Sequence, residues 1–154
     1  MSEPSLHIAL VNPEIGPNTG NIGRLCLGIG ARLHLVHPLG FQINEKQVRR
    51  AGLDYWKHVD LCEHGDLGSF SSWLEGRRFH LFSTRGAAPY TRISFAVGDV
   101  LVFGCESRGL PAGFVAAHGS YRVPMPGPTR RLNLSNCVSV VAMQALQGVR
   151  PELF

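Results

Sequence analysis

Two glycine-rich turns late in the chain carry the residue types best suited to close contact with a ligand. The first is Gly104-Cys-Glu-Ser-Arg-Gly109, and the second is the Pro- and Gly-rich loop at 124–128. Glycine lets backbone N–H and C=O groups approach a ligand, and loops at the carboxyl ends of parallel strands are where α/β sheets bind ligands. Taken alone, however, such a turn is more often a simple connection.

The common nucleotide-binding motifs are absent from the sequence. A dinucleotide site needs Gly-x-Gly-x-x-Gly straight after the first strand. Here residues 12–21, Asn-Pro-Glu-Ile-Gly-Pro-Asn-Thr-Gly-Asn, follow that strand, and no P-loop occurs elsewhere. The sequence therefore excludes both of these nucleotide-binding classes.

The charge balance favours a nucleic-acid partner. The 154 residues include 15 Lys and Arg against 11 Asp and Glu, a net charge of +4. Lys46 and Lys57 are the only lysines, so nearly all cations are arginines, which bind phosphate through a planar fork and stack on bases. The indication is weak by itself, because many arginines only solvate a surface.

The cysteines indicate reduced thiols in a cytoplasmic protein rather than a metal site. Cys62-Glu63-His64 is the nearest approach to a ligand cluster, and one Cys with one His cannot close a site. We therefore expect no metal.

The N-terminus lacks the pattern of a signal peptide, and no apolar stretch approaches membrane-spanning length, so we expect no membrane association.

The apolar pattern alternates between strands and helices. Strands are predicted at 6–11, 33–36, 79–82, 100–103 and 121–123, and helices from Asn18 to Gly30 and at 45–51, 67–74, 111–117 and 134–147. This alternation is typical of an α/β protein with a parallel sheet covered by helices on both faces. With 44% hydrophobic residues and no repeat or linker, the pattern predicts one domain across residues 1–154.

Three segments together resemble the three motifs of the SPOUT methyltransferases: residues 12–24, 103–111 and 123–136. Leu-Gly-Phe at 39–41 and Arg-Arg-Ala-Gly-Leu-Asp-Tyr at 49–55 are similar to the small single-domain branch of that family. Members of this branch methylate the ribose 2′-hydroxyl of cytidine or uridine 34 in tRNA. The likeness runs from about Leu6 to Gln147.

The resemblance implies a fold and a cofactor that spacing does not show. The carboxyl-terminal segment would form a deep trefoil knot, an exception to the rule that chains are unknotted. S-adenosylmethionine would bind in the knot between loops starting at Phe82, Gly104 and Val123, and would leave as S-adenosylhomocysteine. The implied cofactor contacts are Phe82, Gly104, Val123, Met125, Arg131 and Leu132.

The resemblance also implies an obligate homodimer with the first and last helices at its interface. The apolar stripe on the helix after Asn18 has an alternative interpretation as core of the monomer. Met143 stands where close relatives have Tyr, Gly16 and Cys105 each replace a usual Pro, and Arg131 stands where Ser is common.

A ribose 2′-hydroxyl is a poor nucleophile, so its proton must be removed or shared during attack. The sulfonium of the cofactor already activates the methyl group, so the transfer needs no metal and depends mainly on alignment. Arg24 matches the first-motif Arg that is proposed to act in proton removal. A guanidinium titrates far above neutrality, so the alternative is that Arg24 anchors a phosphate and positions the hydroxyl.

Three further residues match the catalytic motifs, each with a structural alternative. Asn18 would orient Arg24 or the ribose, or would act only as a helix N-cap. Glu106 would support Arg24 or the knot loop, or would be an exposed carboxylate. Asn133, followed by Ser135 and Asn136, would take part in catalysis or cap the last helix.

Arginines are the candidates for holding tRNA. Arg85 stands where close relatives have Lys, and with Arg130 it would bind RNA phosphates. Arg49, Arg50 and Arg92 are weaker candidates, because charged residues usually only solvate a surface. The histidines, including His34 and His37, are expected in packing or on the surface.

The leading function is therefore methylation of a tRNA ribose at nucleotide 34. The alternatives are methylation of another tRNA or rRNA ribose, and a non-catalytic RNA-binding knotted dimer. Replacing Arg24 by Ala separates them, because a binding module has no turnover to lose.

Overall fold

Seven strands form one parallel sheet in the computed structural model, which describes residues 3–43 and 55–154. In chain order the strands are β1 (Leu6–Val11), β2 (Arg32–Val36), β3 (Leu61–His64), β4 (Phe79–Phe82), β5 (Ala88–Pro89), β6 (Asp99–Phe103) and β7 (Tyr121–Arg122). Their order across the sheet is β3-β2-β1-β6-β4-β7-β5. Every neighbouring pair of these strands is parallel.

The described part of the chain contains four α-helices: α1 (Gly16–Ile29), α2 (Leu67–Leu74) and α3 (Ala112–His118) connect strands, and α4 (Leu134–Val149) follows the last strand. Single 3₁₀ turns occupy Trp56–His58, Tyr90–Arg92 and Pro151–Leu153. Among these described helices, none combines the length and the apolar character needed to cross a membrane.

The central strands are buried on both sides, as the sequence predicted. All six residues of β1 are buried. Ile8 and Leu10 pack with residues of α1 and α4 on one face of the sheet, whereas Ala9 and Val11 pack with residues of α2 and α3 on the other. Parallel sheets covered on both faces need continuous apolar strands of this kind, so the predicted α/β class is confirmed.

Most predicted elements lie where the apolar pattern placed them, with two strands missed. β3 was missed because Leu61-Cys-Glu-His lacks an apolar run, and β5 has only two residues. The first helix begins at Gly16 rather than at Asn18. The predicted basic helix at 45–51 and the candidates Arg49 and Arg50 lie outside the described residues.

Four loops meet at one edge of the sheet, because the carboxyl ends of parallel strands share an edge. They follow β1, β4, β6 and β7, of which β1, β6 and β4 are direct neighbours. Two glycines allow the loops to pass closely. A Cβ atom at Gly104 would lie 2.1 Å from the carbonyl carbon of Gly109, and one at Gly86 would lie 2.1 Å from that of Tyr121.

Candidate active site

A cavity of about 660 Å³ opens where these four loops converge. Eleven of the twelve site residues predicted from the sequence line it: Asn18, Phe82, Arg85, Gly104, Glu106, Val123, Met125, Arg130, Arg131, Leu132 and Asn133. They come from segments more than a hundred residues apart in the chain, so the fold and not local sequence brings them together.

Glu106 joins the loop after β6 to the start of α1. Its Oε1 accepts a hydrogen bond from the backbone N–H of Glu14 at 2.8 Å, and its Oε2 accepts from Ile15 N–H at 2.9 Å. The Asn18 side-chain amide donates to the same Oε2 at 3.2 Å. A carboxylate at a helix N-terminus satisfies free N–H groups and complements the helix dipole. Glu106 is therefore a support for α1 and its loop.

A second carboxylate completes this connection from the opposite side. Glu14 Oε1 accepts from the backbone N–H of Ser107 at 2.9 Å and from its hydroxyl at 2.6 Å. These bonds from Ser107 lower the pKa of the exposed Glu14 carboxyl to about 2. The loops after β1 and β6 are thus held together by two reciprocal carboxylate contacts.

Asn18 and Asn133 bring α1 and α4 together at the floor of the cavity. Asn133 Nδ2 donates to Asn18 Oδ1 at 3.1 Å. Asn133 Oδ1 also caps α4 by accepting from the backbone N–H groups of Ser135 at 2.9 Å and Asn136 at 3.4 Å. The predicted cap at Asn133 is therefore present. Asn18 instead lies inside the first turn of α1, so its interpretation as an N-cap was wrong.

Arg131 holds the loop after β6 through hydrogen bonds to its backbone. Its guanidinium donates to the backbone carbonyls of Glu106 at 3.1 Å and Ser107 at 2.6 Å. This contact gives a structural reason for an arginine at a position where the resembled family usually has Ser. The same loop is closed by a backbone bridge between Cys105 and Gly109, the latter with a left-handed φ of 72°.

One wall of the cavity is apolar, and arginines stand at its edge. Phe82 and Phe103 stack with ring centroids 4.9 Å apart, and further apolar lining comes from Leu110, Val115, Val123, Met125, Leu132 and Leu134. Arg85, Arg108 and Arg130 line the cavity and are exposed. An apolar slot with a few convergent polar groups is typical of a small-molecule site.

Residues 5–143 match the SpoU rRNA Methylase family. The chain belongs to this family. The three segments that line the cavity, within 12–24, 103–111 and 123–136, all fall inside the matched region, as the resemblance to the SPOUT methyltransferases predicted.

Two curated relatives of this SpoU family member are tRNA (cytidine(34)-2′-O)-methyltransferases. The relative from Methylovorus glucosotrophus is 46% identical over 142 residues, which cover 90% of this chain and 92% of that protein. The relative from Escherichia coli K12 is 43% identical over 143 residues, covering 91% of each. A solved structure that concerns the 2-OH methylation of C/U34 on tRNA is 44% identical, covers 94% of this chain and 96% of its own, and superposes with a TM-score of 0.90.

Of the twelve predicted site residues counted above, Arg24 alone does not line the cavity, and the weaker candidate Arg92 does not line it either. Six residues along an α-helix turn a side chain by about 120° and advance it by about 9 Å, so Arg24 and Asn18 face different directions. The exposed Arg24 guanidinium instead lies 5.5 Å from the ring centroid of Tyr55. Within one protomer Asn18 and Glu106 bond to each other and to residues other than Arg24, so the alternatives that Asn18 orients the ribose and that Glu106 supports the knot loop stay predictions.

The sequence analysis did not identify Glu14 and Ser107, which connect the loop after β1 to the loop after β6 in the site of this SpoU family member. Both are exposed loop residues, and they are 93 positions apart. No local signal identifies this pairing, because the Glu14 carboxylate bonds to Ser107 in a distant loop and not to the N–H groups of the adjacent helix.

Proposed function

We propose that this chain is a tRNA (ribose-2′-O)-methyltransferase that transfers the methyl group of S-adenosylmethionine to nucleotide 34, the wobble position. One observation carries the proposal: Asn18, Glu106 and Asn133 form a hydrogen-bonded group at the floor of a cavity built from the three motif segments. The names of the relatives support cytidine 34 as the methylated nucleotide, and the similar solved structure concerns methylation of cytidine or uridine 34.

The cavity suits S-adenosylmethionine in volume and in chemistry. Its 660 Å³ falls within the range of about 300–1,000 Å³ for small-molecule pockets. Phe82, Val123, Met125 and Leu132 give an apolar slot for the adenine, and the tight turn at Gly104 presents backbone polar groups. When bound, the cofactor supplies an electrophilic methyl group on a sulfonium.

The hydrogen-bonded side chains of Asn18, Glu106 and Asn133 at the cavity floor orient the ribose. Both carboxylate oxygens of Glu106 accept hydrogen bonds, from the backbone N–H groups of Glu14 and Ile15 just before α1 and from the Asn18 amide, so we assign Glu106 a positioning role rather than proton removal. The Asn18 and Asn133 side chains line the same cavity at the starts of α1 and α4, and we assign them the alignment of the attacking hydroxyl. Arg131 fixes the loop after β6 and thereby the cofactor contact.

Arg24 is assigned to phosphate binding rather than to proton removal. An arginine base needs an environment that strongly depresses its pKa, whereas Arg24 is exposed and stacked on Tyr55. An exposed guanidinium binds phosphate oxygens through paired charge-assisted hydrogen bonds. We assign Arg85 and Arg130, which line the cavity and are exposed, to phosphate binding as well.

The assembly we propose is a cytoplasmic homodimer of one 154-residue domain that carries a carboxyl-terminal trefoil knot. α1 and α4 pack on each other. Leu27 of α1 is 40% exposed, and Val140 and Met143 of α4 are 38% and 42% exposed. Such apolar side chains on neighbouring helices are typical of a surface that a second copy covers. Analytical ultracentrifugation of the full chain tests the dimer, and Met143→Glu should shift it toward monomer.

Mass-spectrometric mapping of 2′-O-methyl groups tests the reaction. Unmodified tRNA is incubated with the purified chain and S-adenosylmethionine, and we expect one new methyl group at ribose 34. Arg24→Ala should lose turnover while it keeps its cofactor affinity. A methyl group at another ribose would support the alternative target, and cofactor binding without any methylation would support the non-catalytic dimer.

A further inference from the structure

Four side chains that the cavity does not use lie together on the face of the sheet that α2 covers, across the neighbouring strands β1, β2 and β3. His7 lies on β1, His34 on β2, and Cys62 and His64 on β3. In the parallel register His34 pairs with Cys62, and residues two apart in a strand share a face. The sequence offered only Cys62 and His64 as neighbours. The strand β3, which the pattern did not predict, adds His34 to them.

We propose that His34, Cys62 and His64 bind a Zn²⁺ ion on this face of the sheet, separate from the methyl-transfer cavity. One ligand atom from each of the three residues, a ring nitrogen of each histidine and the Cys62 Sγ, lies within 4.8 Å of the other two. His34 Nδ1 is 3.0 Å from His64 Nε2, and Cys62 Sγ is 3.7 Å from the same nitrogen. From ordinary Zn–N and Zn–S bond lengths, a tetrahedral ion needs its ligands about 3.3 Å and about 3.6 Å apart. Both of these distances to His64 Nε2 are therefore close to the separations that a zinc tetrahedron needs.

His7 provides the outer contact that such a site requires. Its Nδ1 lies 2.9 Å from His34 Nε2. With His34 Nδ1 on the ion, Nε2 carries the ring hydrogen and donates it to His7. Histidine ligands of metals almost always donate their second ring N–H in this way, which fixes the ring and its tautomer. His7 and His34 are each 1% exposed, so this pair is held rigidly in the core.

The environment excludes water on one side and admits the ion from the other. The Trp73 ring of α2 lies 4.3 Å from the His34 ring, and Phe70 lies 5.0 Å from His64, both between centroids. Cys62 is only partly buried, so a path to solvent exists there. This opening gives the ion its fourth ligand, a water molecule.

The ligand set selects zinc over the hard cations. A thiolate with two imidazoles suits Zn²⁺, whereas Mg²⁺ and Ca²⁺ prefer oxygen ligands. On binding, the Cys62 thiol gives its proton to solvent, and the hydrogen on His64 moves to Nδ1 so that Nε2 is free for the ion. One proton is released for each Zn²⁺ bound. The bound ion ties β3 to β2 beneath α2.

Cobalt substitution tests the site directly. The full chain, freed of metal with a chelator and kept reduced, is titrated with Co²⁺. We expect one Co²⁺ per chain, the visible bands of tetrahedral cobalt, and a thiolate-to-cobalt charge-transfer band that Zn²⁺ abolishes by displacement. Cys62→Ser should lose the charge-transfer band and weaken Co²⁺ binding at least about 100-fold. His7→Asn should weaken it about 10- to 100-fold, the usual effect of losing an outer contact.

Cys105→Ser is the matched control, because Cys105 is also partly buried but lies in the loop after β6. It should retain the cobalt spectrum, and S-adenosylmethionine should leave the titration unchanged. A charge-transfer band that survives in Cys62→Ser would overturn the proposal. The absence of Co²⁺ binding to the parent chain would overturn it too, and would leave the three histidines as a purely hydrogen-bonded row. Neither result bears on methyl transfer.

Discussion

Asn133 Nδ2 donates a 3.1 Å hydrogen bond to Asn18 Oδ1 across 115 positions of sequence. The same Asn133 side chain caps α4, and Asn18 in turn donates to Glu106. The start of the first helix, the start of the last helix and the loop after β6 are therefore held by one continuous set of hydrogen bonds.

Two substitutions of Asn133 should separate its contact with Asn18 from its capping of α4. Asn133→Ser keeps a side chain that can cap α4 but cannot reach Asn18, so we expect near-normal stability and a turnover reduced at least about tenfold. Asn133→Ala should lose turnover as well and also about 1 kcal/mol of unfolding free energy, the usual value of an N-cap. Urea unfolding and a methylation assay measure the two effects. Full activity of Asn133→Ser would show that the contact with Asn18 is not needed for catalysis.

The contact between Glu14 and Ser107 should depend on pH with a defined sign. The pKa of Glu14 falls from 4.5 to about 2 in the folded chain. A carboxyl group whose pKa is lowered by folding stabilises the folded chain in full at any pH above its unfolded pKa, here 4.5. This stabilisation is lost as the pH falls from 4.5 to about 2. The parent chain should be more stable than Glu14→Gln at pH 7, and the difference should shrink on acidification below pH 4.5. Thermal unfolding of both chains measures it, and a difference that grows in acid would contradict the assignment.

Gly104 should tolerate no side chain. A Cβ atom there would lie 2.1 Å from both the Gly109 carbonyl carbon and the Leu110 nitrogen, so Gly104→Ala must displace backbone. We expect S-adenosylmethionine affinity to fall at least about tenfold in calorimetric titration. Gly113→Ala is the matched control, because it lies in α3 with nothing within 4 Å of the added Cβ. It should bind the cofactor normally and gain up to about 1 kcal/mol of stability.

The elements that could be predicted from sequence are those with strong apolar periodicity. α2 and β4 have the predicted bounds, and β1 is an uninterrupted buried run. β3 was missed because it is an edge strand with only His64 buried, so its four residues need no apolar run and the sequence shows none. The early start of α1 had a readable signal in Pro17, since Pro is favoured in the first turn of a helix.

The residues of the candidate site that belong to the motifs could be predicted from the sequence. The contacts that join residues distant in the chain could not. The cavity lining followed from the resemblance. The contacts of Glu106 with α1 and of Glu14 with Ser107 join residues more than 90 positions apart, and no local pattern encodes such a pairing. Arg24 was placed by its motif alone, which contains no information on the direction its side chain takes from α1.

The exposed arginines at the cavity edge should make tRNA binding depend on salt. Each phosphate contact releases condensed counterions, so tRNA affinity should fall as salt is added. Arg85→Gln and Arg130→Gln should each weaken binding and reduce the slope of log affinity against log salt by about 1. Arg77 stacks on Trp73 at 4.1 Å, on the side of the sheet covered by α2, so Arg77→Gln is the matched control and should keep the parent slope. Fluorescence anisotropy with labelled tRNA at several salt concentrations measures all four chains. Equal slopes for the parent chain and both edge variants would remove Arg85 and Arg130 from the tRNA surface.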